Sequence, residues 1–163
     1  TRAQYDLLIA VPPHVPPPAV KASDLAAPSG WIPADPLTNR VSGFDHVYAI
    51  GDCAAVPLPG RFKPDVPMSL PKAGVLAAGQ GRVVAAHIAA SAKGEQATLA
   101  FDGKGFCFIE MGDLHAVRGA MEFYAVPNPK AERRVPDMIQ FEEKQAWVEE
   151  FVSRYVAPPP RSR

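Results

Sequence analysis

The chain has 163 residues, 47% of them hydrophobic, enough for one domain or two small lobes with a real core. Lys plus Arg balances Asp plus Glu at 17 each, so there is no basic surplus of the kind nucleic-acid binding uses. No apolar run reaches the ~20 residues of a membrane span, and two cysteines, Cys53 and Cys107, fit neither a metal-finger spacing nor a disulfide scaffold.

Residues 5–11 (Tyr-Asp-Leu-Leu-Ile-Ala-Val) form a short apolar run with β-formers, which predicts a buried strand ended by Pro12 and Pro13. The sequence opens on Thr1 without an initiator Met and enters this run almost at once, which reads as the middle of a longer protein. Thirteen of the 19 prolines fall in residues 1–71, so that half is expected to be rich in loops around a few fixed strands. Residues 29–39 are dense in turn formers and predict a short ribbon at most. Residues 47–50 (Val-Tyr-Ala-Ile) predict a second short strand, stopped by Gly51 and Asp52.

The composition changes at Lys72. Residues 72–92 contain no proline and eight alanines. Val75, Gly79, Val83, Ala86 and Ala90 recur at intervals of three or four, which predicts one face of a helix. Pro71 suits its first position and Ser69 its cap. Lys93, Gly94 and Glu95 close it. Beyond lie strand candidates at 105–111 and 116–126, with a turn at Gly112 and Asp113. Residues 135–155 end the fold, and their second half reads as an amphipathic helix with Trp147, Val148, Phe151 and Val152 on its apolar stripe. The division expected is a unit over 1–92, a smaller α+β lobe over 93–157 and a disordered tail over 158–163. The fold class is α/β with an α+β C-terminal lobe.

Chemistry concentrates in three places. A strand that runs into Gly51 and Asp52 sets a carboxylate just past its C-terminal end, where ligands bind in open α/β sheets. The glycine admits a ligand close to the backbone, and the carboxylate accepts hydrogen bonds from sugar-like hydroxyls. A strand ending in a common Gly-Asp turn is the plainer reading of these two residues. The helix that begins near Lys72 and Gly74 offers free backbone N–H groups and a partial positive charge. Cys107 lies in a strand candidate, either as a reactive thiol or as a small buried hydrophobe. Cys53 reads as a packing residue, His14 as a solvated loop residue, and His87 and His115 have no metal-ligand spacing.

Residues 45–52 (Asp-His-Val-Tyr-Ala-Ile-Gly-Asp) resemble the second FAD motif of the two-dinucleotide-fold flavoprotein reductases, in which the last aspartate hydrogen-bonds the ribityl chain of FAD. Residues 70–74 (Leu-Pro-Lys-Ala-Gly) with 80–86, and 101–112 around Cys107, resemble sulfide:quinone oxidoreductases. They also resemble the flavoprotein subunit of flavocytochrome c sulfide dehydrogenases. The likeness runs over most of residues 5–125 and implies the C-terminal portion of an FAD/NAD(P)-binding flavoprotein. By that likeness Gly51, Asp52, Lys72 and Gly74 face FAD, and Cys107 carries sulfur over the flavin together with a second cysteine. It implies a small-molecule donor, sulfide or NADH, and a quinone or cytochrome acceptor. Family members end in membrane-docking helices, whereas Glu142, Glu143, Glu149 and Glu150 here oppose an anionic lipid surface. No glycine-rich G-x-G-x-x-G fingerprint for the pyrophosphate occurs, so the chain is expected to be a fragment, inactive alone. A fragment of a type II NADH:quinone oxidoreductase is the first alternative. A non-catalytic interaction module that keeps the fold is the second. No metal site and no compartment are assigned.

Overall fold

The computed structural model describes residues 4–156. A short helix α1 (Pro18–Lys21) leads into a two-residue strand β1 (Ile32–Pro33), a 3-10 turn (Gly51–Cys53) and a strand β2 (Ala54–Ala55). The long helix α2 (Gly74–Ala92) follows. The strands β3 (Lys104–Gly112), β4 (His115–Glu122) and β5 (Lys130–Arg133) and the helix α3 (Met138–Tyr155) complete the chain. The pair β1–β2 is parallel, with Ile32 opposite Ala54. The second sheet is antiparallel in the order β3-β4-β5. The expected tail at 158–163 lies outside the described residues.

Several expectations are corrected. Residues 5–11 form no strand, and Leu7, Leu8, Ile9 and Val11 are all exposed. An apolar run is buried as a strand only where a neighbouring strand takes up its backbone groups, and none of the described residues does so. Residues 47–50 are extended but make only an isolated bridge, Tyr48 to Arg40, beside the bond from Ala49 N to Asn39 O. The parallel pairing falls just after them, at Ala54 and Ala55.

Helix α2 begins at Gly74, with Ala73 as an extended cap and no side-chain capping bond. Pro71 and Ser69 play no part in it. Leu58 N bonds Met68 O, Leu70 N bonds Val56 O, and Ser69 bridges Pro57. That ladder keeps residues 68–70 extended and delays the helix. The buried face of α2 is Leu76, Gln80 and Val83, one position round from the stripe expected on Val75 and Gly79. The end is as expected: Lys93 caps α2, and Gly94, at φ +71°, lets Glu95 N reach back to Ala90 O.

The hairpin β3–β4 also follows its pattern. Asp113 and Leu114 both have positive φ, as a tight two-residue turn requires. β4 stops at Glu122 rather than 126, because Phe123 turns into the core and the chain then meets Pro127 and Pro129. β5 has no counterpart among the expected strands, since residues 130–133 (Lys-Ala-Glu-Arg) are exposed throughout and carry no apolar alternation. Asp137 caps α3 by accepting a bond from Gln140 N at 2.7 Å.

One apolar core joins the loop-rich half to the sheet. Ile32, Val41, Ala49, Val56, Leu58 and Leu70 pack with Leu76 and Val83 of α2, and Phe101 and Phe123 complete the cluster. Tyr124 stacks edge-on against Phe101 and donates its hydroxyl to Pro36 O at 2.6 Å. Burial drives the Tyr124 pKa upward, and the nearby Asp35 and Asp102 add to the shift.

Candidate functional site

The 3-10 turn Gly51–Cys53 packs against the first turns of α2, and Gly51 N and Asp52 O are held by side chains from different directions. Gly51 sits at φ +62°, and a Cβ there would lie 3.2 Å from Ala77 Cβ, so a side chain would be both strained in backbone and crowded by the helix. Its N–H donates to Gln80 Oε1 at 2.8 Å. The ammonium of Lys72 donates to Asp52 O at 2.6 Å and to Ala54 O at 2.9 Å. It also stands 3.8 Å from the centroid of the Trp31 ring, a cation–π distance. Cys53 is half-buried and its thiol donates to Ile50 O at 3.1 Å.

Asp52 itself is exposed, so its carboxylate is presented to solvent from a backbone that is tied down on both sides. Beside it the start of α2 is open. Gly74 is exposed, and nothing lies within 4 Å of where its Cβ would be. The first bonds to the cap run from Leu76 N and Ala77 N to Ala73 O, which leaves the amides of Gly74 and Val75 ahead of the hydrogen-bonded turns. Between the turn and the helix only a void of about 10 Å³ remains, lined by Gly51, Ala54, Leu76 and Gln80 among others, so the two are closely fitted. Burial pushes the Lys72 pKa below the usual lysine value, while the charges of Asp52 and Cys53 act in the opposite sense.

Cys107 belongs to the central stretch of β3 and its side chain is exposed, which corrects the reading of a buried small hydrophobe. Side chains alternate along a strand, so Cys107 shares a face with Gly105. A Cβ at Gly105 would lie 2.6 Å from Leu76 Cδ2 and 3.7 Å from Val75 Cγ1, so this face meets the first turn of α2. Cys107 follows two residues on, roughly 7 Å further along the strand. Across the ladder it meets Gly119, whose missing side chain leaves the thiol uncrowded. The opposite face of the sheet carries Phe106 and Phe108 against Trp147 of α3.

The structure therefore gathers Gly51, Asp52, Lys72 and Gly74 at one helix end and sets Cys107 on the sheet face that abuts it. It separates the remaining candidates. His14 is an exposed loop residue, His87 Nε2 is paired with Leu99 O at 2.9 Å, and His115 Nδ1 with Asp113 O at 2.6 Å. Among the described residues no group of three His, Cys, Asp or Glu side chains is placed to hold a metal ion. Two residues of the site escaped the sequence pattern. Gln80 could have been found as a polar residue inside the apolar stripe of Leu76 and Val83. Trp31 had no such signal, because its role depends on a lysine 41 positions away.

No protein-family model matches the chain. A 53-residue stretch is 42% identical to the mitochondrial sulfide:quinone oxidoreductase of Schizosaccharomyces pombe. The chain is distantly related to that protein over this stretch. The stretch is 32% of this chain and 12% of that protein's length. No described helix is long and apolar enough to cross a membrane.

Proposed function

We propose that the chain supplies one side of the flavin site of an FAD-dependent oxidoreductase of the sulfide:quinone type. The observation that carries this reading is Asp52: an exposed carboxylate on a turn fixed by Gln80 and Lys72, beside the open start of α2. Hydroxyls of a ribityl chain are the donors such a carboxylate accepts from. The amides of Gly74 and Val75, with the positive end of α2, favour a negative charge placed against them. FAD, when bound, supplies the two-electron carrier between donor and acceptor. The residues fit that group in the character of their donors and acceptors and in the open space at Gly74, where nothing lies within 4 Å of a Cβ position.

Cys107 gives the reading its substrate. Its thiol is exposed on the face next to the helix end; joining it to sulfide by an S–S bond, with loss of both S–H protons, would release two electrons, which FAD bound at the site would accept. The product is sulfur in the zero oxidation state, and a quinone or cytochrome receives the electrons. A resolving cysteine is needed, and Cys53, half-buried and bonded to Ile50 O, is poorly placed for that task. The pyrophosphate-binding glycine fingerprint and the second cysteine come, in this reading, from outside the sequence. The sequence identity to a sulfide:quinone oxidoreductase supports the branch.

The test uses the whole protein that carries this chain. Sulfide should bleach its bound flavin, and Cys107→Ala should slow that bleaching by several orders of magnitude while leaving the flavin bound. Unchanged bleaching in Cys107→Ala removes the thiol from the reaction. Reduction by NADH, with none by sulfide, transfers the chain to the NADH:quinone branch.

A further inference from the structure

We propose that Lys72 is a positioning residue, whose ammonium is clamped between two backbone carbonyls and the face of Trp31 and sets the turn of Asp52 without touching the ligand. An ammonium has three donors. Two go to Asp52 O and Ala54 O, and the third side is covered by the Trp31 ring at 3.8 Å. No donor is left for a molecule lying at the start of α2.

The placement of the clamp explains what it fixes. Gly51 is the pivot of the turn, and Gln80 holds its N–H. The carbonyls that Lys72 holds are the next ones downstream. Trp31 immediately precedes β1, and Ile32 of β1 pairs with Ala54 of β2. One cation therefore joins the turn, the parallel pair and the segment leading into α2. The titratable groups facing it are the Asp52 carboxylate and the Cys53 thiol. Without the ammonium, the carbonyls of Asp52 and Ala54 lose their donor and the peptide after Gly51 is free to rotate, carrying the Asp52 carboxylate with it. The clamp rests on the flavin reading only for the identity of the ligand that Asp52 meets.

The test has a ligand-free arm and a flavin arm. In this chain, the carbonyl carbon-13 shifts of Asp52 and Ala54 should titrate with the same midpoint as the Lys72 side chain. In Lys72→Met, exchange of the Gly51 and Ala54 amides should quicken by roughly tenfold or more, as expected for loss of a charge-assisted bond. Exchange at Val83 should stay as in the wild type. Carbonyl shifts that ignore the lysine titration, or unchanged exchange in Lys72→Met, overturn the clamp. In the flavin-loaded whole protein, Lys72→Met and Trp31→Leu should weaken FAD binding in parallel, because both release the turn. FAD affinity that falls in Lys72→Met but stays at the wild-type level in Trp31→Leu means direct contact and overturns the positioning role. A whole protein that binds no FAD removes the flavin reading and leaves the ligand-free arm to decide the clamp.

Discussion

Residues 29–73 and residues 104–155 are built on opposite plans. The first stretch has two strands of two residues each and a single 3-10 turn, yet Ile32, Ala34, Val41, Ala49, Ala54, Val56, Leu58 and Leu70 are all buried in it. The second has a long hairpin, with a register shift only between Glu110 and Gly112, and an 18-residue helix, yet α3 buries only Gln140, while Trp147, Phe151, Val152 and Tyr155 remain exposed. Regular hydrogen bonding and burial are separate properties. The loop region supplements irregular backbone–backbone bonds, such as Val41 N to Val47 O and Leu70 N to Val56 O, with side chains: Asp35 Oδ1 accepts from Leu37 N and Thr38 N, while Gln80 and Lys72 serve the turn. The sheet satisfies most of its backbone through its own ladders, with Gln140 taking the N–H of Arg118, and leaves aromatic rings uncovered.

The largest effect is expected where the two plans meet. Leu76 packs in the shared core and approaches Gly105 of β3, so Leu76→Ala should cost about 3 kcal/mol in a denaturant titration. A cost below ~1 kcal/mol would mean that the two regions do not share one core.

One buried glutamine ties down backbone in each region: Gln140 from within the second, Gln80 from α2 for the first. Gln140 accepts from Arg118 N at 2.7 Å and donates to Val135 O, whereas Gln80 accepts from Gly51 N alone. Gln140→Leu should therefore cost more than Gln80→Leu, each lost backbone partner being worth ~1–3 kcal/mol. The reverse order would make the turn, and not the sheet, the more dependent of the two.

Acid separates the regions next. Burial alone would raise the Asp35 pKa, but the bonds from Thr38 and Leu37 outweigh it and leave the value below 3.8. A depressed carboxylate adds stability above its unfolded pKa and loses it as pH falls through the folded one. The melting temperature should therefore drop below pH ~4, and Asp35→Asn should flatten part of that drop. Asp137, lowered chiefly by the bond from Gln140 N, makes the same contribution at α3. An Asp35→Asn profile that matches the wild type would leave the acid loss to the sheet region alone.

Phe151 gives the smallest effect. It is 45% exposed, so Phe151→Ser should change stability by less than about 1 kcal/mol. A loss as large as that of Leu76→Ala would show that the aromatic row on α3 belongs to the core after all.

Elements with a local cause were legible in the amino-acid order. A hairpin turn near Gly112 and Asp113, the end of α2 at Gly94 and a helix in the second half of 135–155 follow from glycine, turn chemistry and period, although α3 begins earlier, at Met138. That order also marked Gly51, Asp52, Lys72, Gly74 and Cys107 as a set, through motif strings alone. The folded chain added what depends on distant partners. It left residues 5–11 exposed because no described strand pairs with them. It held back the start of α2 because residues 68–70 are paired with 56–58. It turned Lys72 from a free charge at a helix end into the bridge between Trp31 and the Asp52 turn. Pairing and burial are agreements between segments far apart in the chain, and neither segment states the agreement alone.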